Sequence, residues 1–459
     1  MFIGRKKELG LLKSQFKSAD KSAILVYGKR RVGKSSLIAN AAKDFDGIVI
    51  NHLCVKTTYE GNLSLLCRSV CSALELPLAS FNTIFDLFDF LKAQNKKILL
   101  VLDEYQYLKQ SLKDSSIDSY MQSIIDSLVP NIKLVLCGSY ISIMKELLLE
   151  SNPLFGRFSL IINLQEFDYL DASEFYKSLP NSDKVAFYSV FGGSPYVLST
   201  LDANKSLRQN IIDLLIPQNS ILRTYIENVM LSEIRQAYDV RLFEVLGNGK
   251  KRYSEISSAL GISDNGLLDK QLKYLISMEA VQKIFPINRP NDKKRQFYQI
   301  KDNFMRFYFS YIFGNESLIS KFGEERFYRL SINESLDTFI SYRFEEISSQ
   351  YFARLARSGA RDEILDVGSY WYDDNKNKKN GQFDCVLKTD TGYDFYEVKF
   401  YKKKMSLKEC KSEETQIRNV AELDCNRMGF VCSSGFSFES KDYELLDADD
   451  IYFHPRFVV

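Results

Sequence analysis

The sequence predicts an α/β fold built on a parallel sheet, followed by helical segments and a second, smaller α/β domain. Three observations carry this. The apolar runs Ala23-Ile24-Leu25-Val26-Tyr27, Ile98-Leu99-Leu100-Val101-Leu102 and Ile132-Lys133-Leu134-Val135-Leu136-Cys137 have the length and β-branched content of strands buried on both faces. The first runs directly into Gly28-Lys29-Arg30-Arg31-Val32-Gly33-Lys34-Ser35, then into the helix-compatible Ser36-Leu37-Ile38. Near the C-terminus, Gly381–Leu387 and Asp394–Phe400 read as two strands joined by Thr389-Asp390-Thr391-Gly392.

The glycine-bounded loop is the G-x-x-x-x-G-K-[ST] pattern in its required setting, between a strand and a helix start. Its backbone N–H groups can face phosphate oxygens, and the helix N-terminus adds partial positive charge. Lys34 can reach β- and γ-phosphates, while the Ser35 hydroxyl can complete a Mg²⁺ shell. Residues Gly28 to Ser36 are thus the expected binding segment for ATP. The second run ends in Asp103-Glu104, at the strand end where open α/β sheets bind ligands. There Asp103 can hold Mg²⁺ through water, and Glu104 can polarise the water that attacks the γ-phosphate. The third run ends in Gly138-Ser139. Ser139 either reports on the γ-phosphate or closes a plain strand-to-helix turn. Arg157, in the turn Pro153–Arg157, is either a neutraliser of transition-state charge or a surface arginine.

At 459 residues the chain is too long for one core. Lys and Arg number 61 against 59 Asp and Glu, so bulk charge points to no partner, and any basic surface must be local. The eight cysteines form no C-x-x-C pair, and two histidines exclude a histidine-rich metal site. No run approaches membrane-spanning length, and the start of the chain lacks a signal-peptide layout, so the expected location is cytoplasmic.

In the middle, Val240, Phe243, Val245 and Leu246 form an apolar face ending at Gly247-Asn248-Gly249. Tyr253–Gly261 reads as a short helix stopped by glycine. Ser263-Asp264-Asn265 offers N-cap oxygens to a longer helix through Leu267, Leu268, Leu272, Leu275 and Ile276. That is helix-turn-helix grammar. Val281–Phe285 and Gln296–Ile300 then flank a basic tip, Asn288–Arg295, which is a wing. Lys250, Lys251, Arg252 and Lys293-Lys294-Arg295 suit DNA phosphates. Protein docking is the alternative, because the recognition helix carries only Lys270 and Lys273 as bases.

In the last strands, residues two apart share a face, so Glu397 and Lys399 project together and Asp384 can meet them from the neighbouring strand. Two carboxylates suit Mg²⁺, and a lysine beside them can orient or activate water. The surrounding Lys376, Lys378, Lys379, Lys402, Lys403 and Lys404 could hold a phosphate backbone.

Several of these motifs carry resemblances. Phe2-Ile3-Gly4-Arg5 with Glu8-Leu9, Asp103-Glu104-Tyr105-Gln106-Tyr107-Leu108, Gly138-Ser139, Pro153–Arg157 and Gly192-Gly193-Ser194-Pro195-Tyr196-Val197-Leu198 resemble, in order and spacing, the boxes of prokaryotic, archaeal-type AAA-like P-loop NTPases related to signal-transduction ATPases. This resemblance implies that Arg5 lies near the nucleotide, that the Gly192–Leu198 turn belongs to a helical lid, and that Arg157 acts on its own subunit or on a neighbour in a homo-oligomer. The C-terminal constellation resembles the PD-(D/E)xK nuclease fold, and more closely the restriction-endonuclease-like domain of unknown function found after this ATPase type. Glu345 then matches a helical metal-binding acid beside Asp384 and Glu397, and Gly368-Ser369-Tyr370-Trp371 matches that family's G-x-x-W box. Gln382-Phe383-Asp384 stands where the family often has E-I-D, so an accessory acid is missing. The expected organisation is an ATPase core at 1–165, a helical lid at 166–232, a winged helix at 233–315 and the nuclease-like domain at 316–459. The expected activity is ATP hydrolysis acting on DNA. The alternative is a nucleotide-driven switch whose last domain binds without cutting.

Overall fold

The computed structural model describes residues 2–112, 116–231, 240–262, 265–374, 378–420, 423 and 425–453. Chain contacts divide it into two units, Met1–Glu166 and Phe167–Val459.

In the first unit, β1 (Ser22–Tyr27), β2 (Ile48–Leu53), β3 (Ile98–Asp103), β4 (Ile132–Gly138) and β5 (Leu160–Asn163) form one sheet in the order β2-β3-β4-β1-β5. Every pairing is parallel. The side chains of β1 and β4 are buried throughout, as the unbroken apolar runs require of strands covered on both faces. Two hydrophobic clusters form, one on each face: Leu25, Leu100, Leu102 and Leu134 join one, while Ile24, Val26, Leu99 and Val135 join the other. Interior β1, between β4 and β5, aims its carboxyl end, and the loop after it, at the ligand-binding edge.

The main core of the second unit runs from Phe167 through the helix Asn181–Phe191 to Tyr452. The helix Leu336–Arg357 is its axis, burying Phe339, Ile340, Phe344, Ile347, Tyr351, Phe352 and Leu355 at helical spacing. Asp168 and Arg354 pair at 2.5 Å, and the Tyr169 hydroxyl donates to the Ile451 carbonyl at 2.9 Å. The aromatic stretch Phe304, Phe307, Tyr308 and Phe309 is buried core.

Helices Arg241–Gly247, Tyr253–Leu260 and Asn265–Ser277 precede the antiparallel pair β6 (Val281–Ile284) and β7 (Phe297–Ile300). Gly261 caps the second helix in the left-handed region, at φ 64°. The expected N-cap oxygens of Ser263 and Asp264 lie outside the described residues. A five-stranded mixed sheet follows: β8 (Ile364–Asp374), β9 (Lys379–Thr389), β10 (Gly392–Lys399), β11 (Arg427–Cys432) and β12 (Glu444–Asp447), in the order β12-β11-β10-β9-β8. The first three pair antiparallel and the last three parallel. Among the described residues, no helix is long and apolar enough to cross a membrane.

Candidate functional site

The loop between β1 and the helix Lys34–Ala42 is shaped by close approach. At Gly28, a Cβ would stand 2.3 Å from the Leu164 carbonyl oxygen, so only glycine lets β1 and the chain after β5 come together there. Arg31 sits in the left-handed region at φ 63°. The Lys34 ammonium donates to the carbonyls of Gly28 at 2.9 Å and Lys29 at 2.8 Å. Burial draws Lys34 below the usual lysine range, and the nearby Glu104 and Asp103 carboxylates oppose that. Lys29 pairs with Glu166 at 3.2 Å. Arg30 donates to the hydroxyls of Tyr140 at 2.9 Å and Tyr107 at 3.3 Å. Val32 is buried, and its carbonyl accepts from Arg5 at 3.3 Å, which fastens the N-terminal arginine to the loop. Gly33 precedes the helix, and Ser36 is exposed on its first turn.

Opposite the loop, the Ser35 hydroxyl donates to Asp103 Oδ2 at 2.7 Å. A hydroxyl and a carboxylate this close form the hard-oxygen pair a Mg²⁺ ion accompanying ATP requires, so these residues fit that ion. Glu104 takes φ 54° as the chain leaves β3, and its N–H donates to Asp103 Oδ1 at 2.9 Å. Its own carboxylate accepts from the Ser139 hydroxyl at 2.7 Å and from the side-chain amide of Gln106. The fully buried Gln106 also receives the Ser139 N–H at 3.3 Å. Ser139 therefore addresses Glu104 directly. Gln106 stands inside the Asp103–Leu108 stretch, where only its place beside Glu104 signals this role.

Arg157 is placed elsewhere. Its guanidinium holds Asp126 at 3.0 Å and the Pro153 carbonyl at 2.8 Å, folding the turn back on the helix Ser116–Asp126. None of these partners belongs to the phosphate loop or to the Asp103-Glu104 corner.

In the second unit, the β9–β10 register carried two residues past Phe395 and Val386 sets Asp384 across from Glu397. Lys399 pairs with Glu397 at 2.7 Å and with Glu413 at 3.3 Å. Burial, which would lower Lys399, is outweighed by these two carboxylates, which hold it above the usual lysine range as a charged donor. Burial pushes Glu397 up, with Lys399 opposing. Burial also pushes Glu345 up to about 8, with Asp384 and Glu397 adding to the rise and Lys250 opposing it.

Asp384, Glu397 and Glu345 are the three acids that the sequence reading expects to ligate Mg²⁺. Among the described residues, no group of three or more His, Cys, Asp or Glu side chains is placed to hold a metal ion. Asp384 Oδ1 accepts from Lys250 at 2.9 Å and from Gln382 at 2.5 Å, while Glu397 is held by Lys399.

The basic tip is committed in a similar way. Arg295 bridges to Asp373 with bonds of 2.9 and 2.8 Å, and Arg289 reaches the same carboxylate at 2.9 Å. Lys293 and Lys294 are exposed. Lys402 pairs with Asp337 and Lys403 with Glu409, and Lys376 lies outside the described residues.

Comparison with known proteins matches these regions. Residues 2–201 fit the family model of an ATPase domain predominantly from Archaea, and residues 308–416 that of archaeal and bacterial proteins of unknown function. An uncharacterised protein of Methanocaldococcus jannaschii is 26% identical over 379 residues, covering 81% of this chain and 82% of its own. Among solved structures, a Walker-type ATPase of Pyrococcus abyssi is 18% identical, covers 67% of this chain and 96% of its own, and has a TM-score of 0.46. The ORC2 protein of Aeropyrum pernix, solved in ADPNP–ADP complexes, is 13% identical, covers 69% and 94%, and has a TM-score of 0.43.

Proposed function

With an ATPase domain at residues 2–201 as the premise, we propose that this chain is a Mg²⁺-dependent ATP hydrolase that acts on DNA, with a nuclease-like sheet at its C-terminal end. The observation that carries the reading is the meeting of Lys34, Ser35, Asp103, Glu104 and Ser139 at one edge of the parallel sheet. Lys34 and the loop N–H groups bind and orient the triphosphate, Ser35 and Asp103 would hold Mg²⁺, and the ion would neutralise phosphate charge there. Glu104 accepts the proton of the attacking water. Gln106 and Ser139 fix which way its carboxylate faces. The proposed division is an ATPase core at 1–165, a lid at 166–232, a winged helix at 233–315 and a restriction-endonuclease-like domain at 316–459.

A second reading, a nucleotide-driven switch with a non-cutting C-terminal domain, is favoured by one observation. The arginines of the basic tip are engaged by Asp373 of the same unit, which suits an intramolecular docking module.

The test has two parts. By calorimetry, Lys34→Ala should lose ATP binding, while Glu104→Gln should bind ATP and hydrolyse it poorly. Wild-type affinity in Lys34→Ala would overturn the site assignment. Single- and double-stranded DNA and RNA, incubated with Mg²⁺ or Mn²⁺ with and without ATP, then separate the readings. Cleavage lost in both Glu397→Ala and Lys399→Ala supports the nuclease, and no cleavage under any combination, together with no metal bound at Asp384 and Glu397 by titration, supports the switch.

A further inference from the structure

The G-x-x-W stretch of β8 is the seat of the hairpin tip. At Gly368 a Cβ would stand 2.8 Å from the Ile287 side chain, so the missing side chain makes room for Ile287, three residues beyond β6. The Ile287 N–H donates to the Ser369 carbonyl at 2.7 Å. Asn288 grips the Trp371 backbone twice, accepting its N–H at 3.0 Å and donating to its carbonyl at 2.8 Å. The Trp371 ring lies beneath the guanidinium groups of Arg295, 5.0 Å away, and Arg252, 5.5 Å away. The Trp371 indole N–H, Arg295 and Arg289 all converge on Asp373. Ile287 completes the seat by packing with Val386 and Phe395 of the sheet.

This clamp has a consequence at the acids. Lys250 stands just before Arg252, where Lys251 pairs with Tyr298 of β7 in an isolated bridge. The backbone that carries Lys250 is thus tied to the clamped hairpin, and its ammonium rests on Asp384 at 2.9 Å. The residues as they stand do not fit a divalent ion, because a lysine occupies each of the two facing carboxylates.

We propose that Lys250–Arg252 and the hairpin tip Ile287–Arg295 form an intramolecular cap on the C-terminal sheet, with Lys250 as the internal cation that excludes a divalent ion from Asp384. The proposal rests on the nuclease-like reading of that sheet and adds its regulation. An ammonium supplies one positive charge where a divalent ion would supply two, and it fills the oxygen the ion would need. The sheet is then closed to metal while the clamp holds, and opens when the tip leaves Trp371 and Asp373.

The test is Mn²⁺ binding to the full chain by calorimetry, with cleavage playing no part in the readout. Lys250 is exposed, so Lys250→Ala removes little packing, and a thermal melt checks its fold. One Mn²⁺ bound at least tenfold more tightly by Lys250→Ala than by wild type is the expected result. Lys250→Arg should match wild type, and adding Asp384→Asn to Lys250→Ala should abolish the gain. The double variant Arg289→Ser/Arg295→Ser, which loosens the clamp and leaves Lys250 in place, should also raise Mn²⁺ uptake. Equal tight binding by wild type and Lys250→Ala would overturn the cap and leave the metal reading of the sheet standing. Absence of Mn²⁺ from every variant would overturn that metal reading and the cap with it.

Discussion

The Ser139 hydroxyl donates to the Glu104 carboxylate across 2.7 Å, linking the end of β4 to the residue that follows β3. Gln106 closes the triangle, since its side chain reaches both residues. A carboxylate held by two donors at one oxygen keeps its other oxygen in a fixed direction. That is how a base is aimed at water without touching substrate through its supports. Gln106→Ala and Ser139→Ala should therefore each lower kcat by roughly tenfold, a small part of the ~10²–10⁴ attributed to general-base catalysis. ATP affinity should stay within about threefold, because neither residue reaches the phosphate loop. Steady-state ATPase kinetics beside calorimetric ATP binding read the two effects separately. A change confined to affinity would sink the positioning role.

Arg157 yields the opposite expectation. It is tied to Asp126 and to the carbonyl of its own turn, and both members of the ion pair are substantially exposed. Exposed pairs contribute about 0–1 kcal/mol. Arg157→Ala should leave the ATPase rate within about twofold of wild type, against the ~10³-fold or greater losses that follow removal of a transition-state arginine. Rates measured across a range of protein concentrations decide the matter. A large loss at every concentration, or one that grows as copies associate, would give Arg157 the role its sequence box implies.

The basic tip is expected to contribute two phosphate contacts to DNA binding, not three. Lys293 and Lys294 are exposed, whereas Arg295 is spent on Asp373. Changing Lys293 and Lys294 to serine should flatten the salt dependence of DNA affinity by up to about two ion equivalents. Arg295→Ser should leave that slope unchanged while loosening the seat on Trp371. Fluorescence anisotropy on labelled duplex over a salt series measures both. A slope that ignores Lys293 and Lys294 would assign the tip wholly to intramolecular docking.

The three inner strands of the parallel sheet could be read from sequence because they are buried on both faces, and burial writes itself as an uninterrupted apolar run such as Ile98–Leu102, whereas the edge strands β2 and β5 are partly exposed and carry no such run. The phosphate loop could be read because its geometry needs glycines at fixed spacing beside Lys34 and Ser35. Pairings across long separations leave no such trace. Lys250 and Asp384 lie 134 residues apart, and nothing in either neighbourhood names the other. Arg157 and Asp126 are 31 apart and each looks like ordinary surface charge. The rise of Glu345 to about 8 depends on burial and on two acids from other elements, so no local pattern announces it. Gly368 and Trp371 were visible as a motif, but the hairpin tip seated on them was not.

His52 provides a pH dependence with a definite sign. It lies on β2, only 4% exposed, with Nδ1 3.1 Å from the Ser69 hydroxyl. Burial pushes it down to about 4 from an ordinary value of 6.5, since a charged imidazole there would lose its water without gaining an anion. Between those two values the unfolded chain binds a proton that the folded chain refuses. Folding stability thus falls as pH drops from 6.5 towards 4, by up to about 3 kcal/mol in total at ~1.4 kcal/mol per pKa unit. Above 6.5 the ring is neutral in both states and contributes no slope. His52→Leu removes the titrating group, so the variant's urea midpoint should fall less than that of wild type between pH 7 and pH 4.5. Measuring the full chain at both pH values isolates this difference, because every carboxylate titrating in that range is common to the two proteins. Parallel losses in the two proteins would show that His52 is protonated in the folded sheet, and that β2 is more open to water than its packing against β3 indicates.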